Sequence, residues 1–176
     1  MAEYLFETDR TRVRRLTLAD KDAVFALLSD PEVMRYVDDD QPKTRAQSDA
    51  YLERHLSHYE TYGYGQFAVE DIESGAVIGL VGLVPPSTHG ADVEIGYTLD
   101  KAVWGRGIGR EVASAVLAWG ITTFGFTSVV ATVDPQNIAS ARIALGLGFT
   151  YERFELDEYV LPTDVYILRV GRGTPE

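Results

Sequence analysis

Cysteine is absent from this chain of 176 residues. Its absence excludes disulfide bonds, zinc sites built on thiolates and catalysis by a cysteine nucleophile. It also agrees with a reducing compartment. Any chemistry must therefore come from other side chains.

Long apolar runs are missing as well. The longest, Val77–Val84, has eight residues, whereas a helix needs about 20 apolar residues to cross a bilayer. The first residues mix Glu3, Glu7 and Asp9 with arginines, so they lack the apolar stretch of a secretory signal. We therefore expect a cytoplasmic protein that does not associate with membranes.

Basic residues are outnumbered by acidic ones. The chain has 16 Lys and Arg against 27 Asp and Glu, a net charge of −11. Such a charge repels phosphate backbones, so we expect no nucleic-acid partner and favour a cationic substrate. His55 and His58 are three residues apart without a third ligand at a suitable spacing, so we predict solvent-facing histidines and no metal site.

The composition is that of a globular protein, with 45% hydrophobic residues. The length suits a single domain over residues 1–176, in which Gly171–Glu176 forms a flexible tail. Two capping boxes, Thr17 with Asp20 and Thr44 with Gln47, predict helix starts. The predicted helices are a short one that ends near Ser29, Arg45–Tyr62, one that follows a glycine-rich turn and ends before Gly125, and Ile138–Leu145.

Alternating apolar residues between turn signals predict the strands. They are Arg12–Leu18, Gln66–Glu70, Ala76–Val84, Asp92–Leu99, Ser128–Val133, Phe149–Glu155 and Asp164–Val170. The three strands between residues 66 and 99 follow one another closely and predict an antiparallel meander. The whole pattern predicts an α+β or mixed α/β sheet domain.

The segment Val103–Arg110, here called the glycine turn, joins a strand to a helix and has glycine at positions 105, 107 and 109. Glycines let the backbone turn tightly, and the first amides of the following helix carry free N–H groups. Such a site favours phosphate groups, and Arg106 and Arg110 add positive charge. The spacing fits neither the dinucleotide fingerprint nor a Walker loop, so a turn without a ligand stays open.

Three further segments accompany the glycine turn: Glu94–Tyr97, Asn137–Arg142 and Leu147–Phe149. Together with the turn they resemble the GNAT superfamily of acyl-CoA-dependent N-acetyltransferases. Within it, the chain is similar to the branch of ribosomal-protein N-terminal acetyltransferases. The resemblance covers about Thr8 to Val170. It implies a mostly antiparallel, twisted central sheet of about seven strands with flanking helices and a splayed wedge between two strands for the cofactor.

The resemblance also implies acetyl-CoA as co-substrate and assigns the residues that bind it. Asn137 would contact the pantetheine arm, and Arg142 a phosphate. Trp104 stands where many family members have Gln or Arg, a departure that puts this side-chain contact in question. The pyrophosphate would lie on the backbone amides of Gly105, Gly107, Ile108, Gly109 and Arg110.

Acetyl transfer from a thioester to an amine needs a base for the amine and a donor to the developing oxyanion. Glu94 is the predicted base because it is a carboxylate in an otherwise apolar strand, a position that similar family members use in this way. A glutamate on the solvent face of the strand is the alternative. The family fold implies a backbone N–H near Ile95 or Gly96 as the oxyanion donor.

The departing thiolate also needs a proton. A tyrosine often supplies it in the superfamily, but the corresponding position here is Ala144. Ser140 is the predicted replacement, with a hydroxyl bonded to local backbone as the alternative. Tyr97 and Tyr151 are reserve donors.

The predicted function is transfer of acetyl from acetyl-CoA to a primary amine by direct attack in a ternary complex, since no cysteine can carry the acetyl group. A protein N-terminus, an amino acid, a polyamine and an aminoglycoside all stay open as acceptors. The acidic segments Asp38–Asp40 and Glu152–Glu158 favour a cationic one. A non-catalytic acyl-CoA-binding sensor or interaction module is the alternative, and a homodimer is left open.

Overall fold

The computed structural model describes residues 3–86 and 92–171; of the predicted tail, residues 172–176 lie outside these ranges. Eight strands form one sheet in the order β1-β2-β3-β4-β5-β6-β8-β7. They are β1 (Tyr4–Glu7), β2 (Thr11–Arg15), β3 (Gln66–Asp71), β4 (Val77–Val84), β5 (Val93–Leu99), β6 (Ser128–Val133), β7 (Thr150–Leu156) and β8 (Pro162–Arg169). The mixed α/β class is confirmed, with eight strands rather than about seven because Tyr4–Glu7 pairs with β2.

Four α-helices pack on the sheet: α1 (Lys21–Leu28), α2 (Arg45–Tyr62), α3 (Ile108–Phe124) and α4 (Ile138–Gly146). Both predicted capping boxes form. The box of Thr17 and Asp20 opens a 3-10 turn that leads into α1, so β2 ends at Arg15 rather than Leu18. Gly63 and Gly125 end α2 and α3 with positive φ angles, which glycine adopts without strain.

The core lies between this sheet and the helices. Phe67, Leu80 and Leu83 on the strands are fully buried. Helix α1 contacts α2 and β4, while α3 contacts β4, β5 and α4. The meander of β3, β4 and β5 is antiparallel, as predicted.

Among the strands of the described residues, β5 and β6 are the one parallel pair, and they separate after two residues. Val93 pairs with Val129 and Glu94 with Val130. Beyond this point β5 stays paired with β4 through Leu99, and β6 stays paired with β8 through Val133. The expected splay is therefore confirmed, and we call the gap between residues 95–99 and 131–133 the wedge.

Within the described ranges, no helix has both the length and the apolar character needed to cross a bilayer.

Candidate active site

A cavity of about 460 Å³ lies at the wedge. Glu94 and Tyr97 line it from β5, Thr132 from β6, and Asn137 and Ser140 from the start of α4. The structure thus brings together both residues predicted to be catalytic and the residue predicted to bind the pantetheine arm. The glycine turn and Arg142 lie outside this lining.

Glu94 is half-buried on β5, so the alternative of a glutamate on the open solvent face does not describe this position. Its carboxylate accepts a hydrogen bond from the hydroxyl of Thr132 on β6. A carboxylate held from the opposite strand keeps one orientation toward the cavity. Thr132 is a positioning contact that the sequence pattern did not single out.

Ser140 and Tyr97 form a hydrogen-bonded pair across the wedge. Their hydroxyl oxygens are 2.9 Å apart, and the Tyr97 hydroxyl also donates to the Ser140 carbonyl at 3.1 Å. Burial raises the pKa of Tyr97, and the hydrogen bond with Ser140 lowers it only in part. The phenol therefore keeps its proton at neutral pH. Ser140, the predicted proton donor, and Tyr97, one of the reserve donors, are therefore in direct contact at the wedge.

The other two positions considered for the proton donor lie elsewhere. Tyr151 is 54% exposed on β7 and does not line the cavity. Ala144 is buried in the core, so α4 presents no side chain from this position to the wedge. The tyrosine hydroxyl that does line the wedge is that of Tyr97 on β5.

The glycine turn has the backbone that its glycines predict. Gly105 and Gly107 have φ angles of 72° and 79°, in the left-handed region that favours glycine. Gly107 begins α3 without a side-chain cap, so the helix presents uncapped N–H groups, the arrangement that binds phosphate. Arg106 and Arg110 are exposed, and Arg110 donates to the Gly146 carbonyl at 3.0 Å.

Gly109 has a packing role that its place in the motif did not indicate. A Cβ atom at this position would lie 3.1 Å from Cδ1 of Ile143 and 3.3 Å from Cδ1 of Leu99. This glycine therefore lets α3 approach α4 and the end of β5. Its backbone amide stays available at the start of α3, while the absence of a side chain allows Ile143 and Leu99 to pack closely against the helix.

Trp104 ties the glycine turn to β5. Its indole N–H donates to the Leu99 carbonyl at 2.9 Å, and its ring is 48% exposed. From Glu94 to Leu99 the strand advances five residues, roughly 16 Å at the usual rise of a strand. An extended ligand along the open edge of β5 would therefore reach from the glycine turn to Glu94. Arg142 is exposed on α4.

Helix α2 lines the cavity with histidines that the sequence placed in solvent. His55 is 1% exposed, so that prediction was wrong; Nδ1 accepts the Gln66 backbone N–H at 3.3 Å. Burial lowers the pKa of His55 to about 3, which keeps the imidazole neutral. Its position three residues after Leu52 and four before Tyr59, both buried, was the available signal. His58 is half-buried, and burial lowers its pKa as well.

Gln66 is a further cavity residue that the sequence analysis missed. It is 6% exposed, and its Oε1 has no hydrogen-bond partner among the described residues. Its Nε2 lies 2.5 Å from where a Cβ of Gly96 would be, so only glycine at 96 lets this amide approach β5. The signal available in the sequence was a glutamine at the first position of a predicted strand whose next three residues are apolar.

Besides Glu94, five carboxylates from three segments line the same cavity, and we call them the acidic rim: Asp38, Asp40, Asp134, Asp157 and Glu158. Burial raises the pKa of Asp40, and repulsion from Asp134 and Asp157 adds to the rise. The rim therefore concentrates negative charge along part of the cavity lining. Across the described segments, no group of three or more side chains is arranged to hold a metal ion.

The predicted acidic segments contribute to the rim only in part. Asp39 points to Lys43, with 2.7 Å between Oδ1 and Nζ. Glu152 pairs with Arg153 and Arg169 at 2.5 and 2.7 Å and does not line the cavity. Asp134, from the β6–α4 connection, was not anticipated.

Comparison with known proteins decides the family. A sequence profile of the acetyltransferase (GNAT) domain matches residues 10–150. The chain belongs to the GNAT acetyltransferases. It is 33% identical to YkkB of Bacillus subtilis (strain 168) over 148 residues, 83% of this chain and 85% of that protein. This GNAT chain is therefore an acetyl-CoA-dependent acetyltransferase that acts on an amine acceptor.

Solved structures agree with the fold. An acetyltransferase from Agrobacterium tumefaciens str. C58 is 25% identical with a TM-score of 0.82, and 93% of each chain is covered. RimL, a ribosomal L7/L12 alpha-N-protein acetyltransferase solved in complex with coenzyme A, is 16% identical with a TM-score of 0.81. That match covers 96% of this chain and 98% of RimL and shows a shared fold.

Proposed function

We propose that this GNAT enzyme moves acetyl from acetyl-CoA directly to the primary amine of a cationic acceptor, with both substrates bound at once. The observation that supports it best is the cavity at the wedge, where Glu94 lies near one end of the open edge of β5 and the Tyr97–Ser140 pair lines the same space. Acetyl-CoA supplies an acetyl group on a thioester.

The cofactor assignment rests on groups without strand or cap partners. The amides of Gly105, Gly107, Ile108, Gly109 and Arg110 would hold the pyrophosphate, because α3 begins without a side-chain cap. Exposed Arg106, Arg110 and Arg142 supply positive charge. Asn137 uses its Oδ1 to cap α4, which leaves its side-chain NH2 to donate to the pantetheine arm. Trp104 orders the turn through Leu99.

The reaction follows from the side chains at the wedge. Glu94, oriented by Thr132, accepts a proton from the ammonium form of the acceptor. The neutral nitrogen then bonds to the acetyl carbon as the carbon–sulfur bond breaks, and its surplus proton passes to the hydroxyl pair of Tyr97 and Ser140, replacing the proton that the pair gives to the sulfur. A backbone N–H near Ile95 or Gly96 stabilises charge on the carbonyl oxygen. The sulfur takes its proton from the hydroxyl pair of Tyr97 and Ser140. A base is needed because the acceptor amine is mostly protonated at pH 7: an α-amine has a pKa near 8 and a lysine side chain one near 10.4.

The acceptor assignment rests on the acidic rim. Its carboxylates face a cavity that also contains the reaction centre, so a cation would be attracted to the place where its amine reacts. Asp38 has Lys43 as a partner at 3.3 Å, whereas burial raises the pKa of Asp40 and the neighbouring carboxylates raise it further. We propose Asp40 as the centre of this attraction, with an acceptor that carries a second positive charge.

Replacement of Glu94 by Gln tests the base. We expect kcat to fall about 100-fold at pH 7, within the usual range for general acid–base catalysis, while the dissociation constant of acetyl-CoA changes less than about twofold. Free-thiol release with saturating acetyl-CoA between pH 6 and 9 gives the rates. Glu7→Gln, a strand carboxylate paired with Arg12 outside the cavity, is the matched control.

Two outcomes of these rate measurements would contradict the proposal. Wild-type kcat in Glu94→Gln at every pH would remove Glu94 as the base. Initial rates at several fixed acetyl-CoA concentrations should give intersecting reciprocal plots, because both substrates bind before transfer. Parallel plots would indicate an acetylated enzyme and overturn direct attack.

A further inference from the structure

The turn between β1 and β2 contacts the glycine turn through one arginine. Nε of Arg10 donates to Oε2 of Glu111 at 2.8 Å, and its backbone N–H donates to Oε1 at 3.2 Å. Glu111 is in the first turn of α3. Nη1 of Arg10 donates to the Arg106 carbonyl at 2.7 Å. One side chain therefore joins the helix to the loop that precedes it.

Within the glycine turn, the backbone at Gly105 and Gly107 has open space beside it. A Cβ at Gly105 would meet no atom within 4 Å, and at Gly107 it would meet only Nη2 of Arg10, at 3.7 Å. These two glycines flank Arg106, so the carbonyl that Arg10 holds lies between the two residues with positive φ. Without Arg10, this backbone would have more conformations available to it.

Glu111 is firmly held in this arrangement. Burial raises the pKa of its carboxyl, but hydrogen bonds from Thr8 and Arg10 lower it on balance, so the group is charged at neutral pH. A carboxylate in the first turn of α3 would repel an anion at the helix start. The guanidinium of Arg10 offsets that charge.

We propose that Arg10, anchored by Glu111, is a positioning residue that orders the glycine turn for the pyrophosphate of acetyl-CoA. The inference rests on the proposed cofactor site at the turn. A turn that is already ordered loses less conformational freedom when the ligand binds, so the contact increases affinity without touching the reacting atoms.

Replacement of Arg10 by Ala should raise the dissociation constant of acetyl-CoA about tenfold, within the range of coupled side-chain contacts. The kcat at saturating acetyl-CoA and the KM of the acceptor should change less than about twofold. Arg12→Ala is the matched control, because Arg12 belongs to the same hairpin, pairs with Glu7 at 3.1 Å and lies over the Tyr4 ring. Equal affinities for acetyl-CoA in the two variants would overturn the proposal.

A second donor separates positioning from a general loss of structure. Acetyl-pantetheine has the thioester but no pyrophosphate, so Arg10→Ala and the wild type should use it with the same kcat/KM. An equal loss with both donors would overturn the proposal. The double variant Arg10→Ala/Glu111→Gln should stay weak for acetyl-CoA. Its return to wild-type affinity would show that charge balance alone explains the effect and would also overturn it.

Arg106→Glu tests the site on which the inference rests. This side chain is exposed, so the charge reversal should weaken acetyl-CoA binding without disturbing the fold. Arg169→Glu is its control, since Arg169 is also exposed and lies opposite Ser128 at the start of β6, away from the wedge. Wild-type affinity in Arg106→Glu would overturn the cofactor site and the role of Arg10 together. Weakened binding in Arg106→Glu with wild-type binding in Arg10→Ala would overturn only the role of Arg10.

Discussion

The buried imidazole of His55 links the stability of this fold to pH. Its pKa is about 3 in the folded protein and 6.5 as the reference value. Between these values the unfolded chain binds a proton that the folded chain excludes. The contribution of His55 is therefore complete above pH 6.5 and is lost as the pH falls toward 3. His58 acts in the same direction, since burial lowers its pKa too.

We expect the free energy of unfolding to fall from pH 6.5 to 4.5, with His55 contributing at most about 1.4 kcal/mol per pH unit. His55→Asn keeps an acceptor for the Gln66 N–H and should flatten this slope, whatever its effect on stability at pH 7. Urea unfolding at several pH values gives the slopes, with His58→Asn as the comparison. An unchanged slope in His55→Asn would contradict this account of the buried imidazole.

For individual residues, the sequence predicted several members of the site but not the contacts between them. Glu94, Asn137 and Ser140 were predicted from motif positions, and they line one cavity. The Tyr97–Ser140 pair was not predicted, because it joins residues 43 positions apart on a strand and a helix. Local spacing contains no information about which side chains meet across a sheet.

Elements with strong local signals were predicted with their bounds. Helix α2 begins after a capping box and ends at glycine, and both α2 and β6 have the predicted limits. Strand β1 was missed because Glu3 and Glu7 surround few apolar residues and it lies at the sheet edge. The splay of β5 and β6 came from the family resemblance, since strand periodicity alone does not say where paired strands separate.

At the scale of the whole molecule, the net charge is −11, and the five carboxylates of the acidic rim place part of this negative charge in the cavity where we propose that the acceptor binds. Exposed charges are screened over about 8 Å at physiological ionic strength. We therefore expect kcat/KM for a cationic acceptor to fall as salt rises, through weaker capture of the acceptor. The fall should be steeper for 1,4-diaminobutane than for butylamine, which has the same chain length and one charge fewer.

Asp40→Asn should raise the KM for 1,4-diaminobutane several-fold, on the order of 1 kcal/mol for one partly screened pair, and leave the KM for acetyl-CoA unchanged. Asp39→Asn makes the same charge change in the same loop, but Asp39 pairs with Lys43 outside the cavity lining. Equal acceptor kinetics in the two variants would assign these aspartates to the solvated surface and leave the acidic rim without a role in specificity.

The central claim is that the glycine turn and the wedge form one continuous cofactor site. The most direct measurement is the change in backbone amide NMR signals as acetyl-CoA is added to the full chain. We predict the largest changes at residues 105–110, 95–99 and 131–133, with little change along β1 and β7. Large changes confined to other surfaces, with the glycine turn and the open edge of β5 unaffected, would contradict the account.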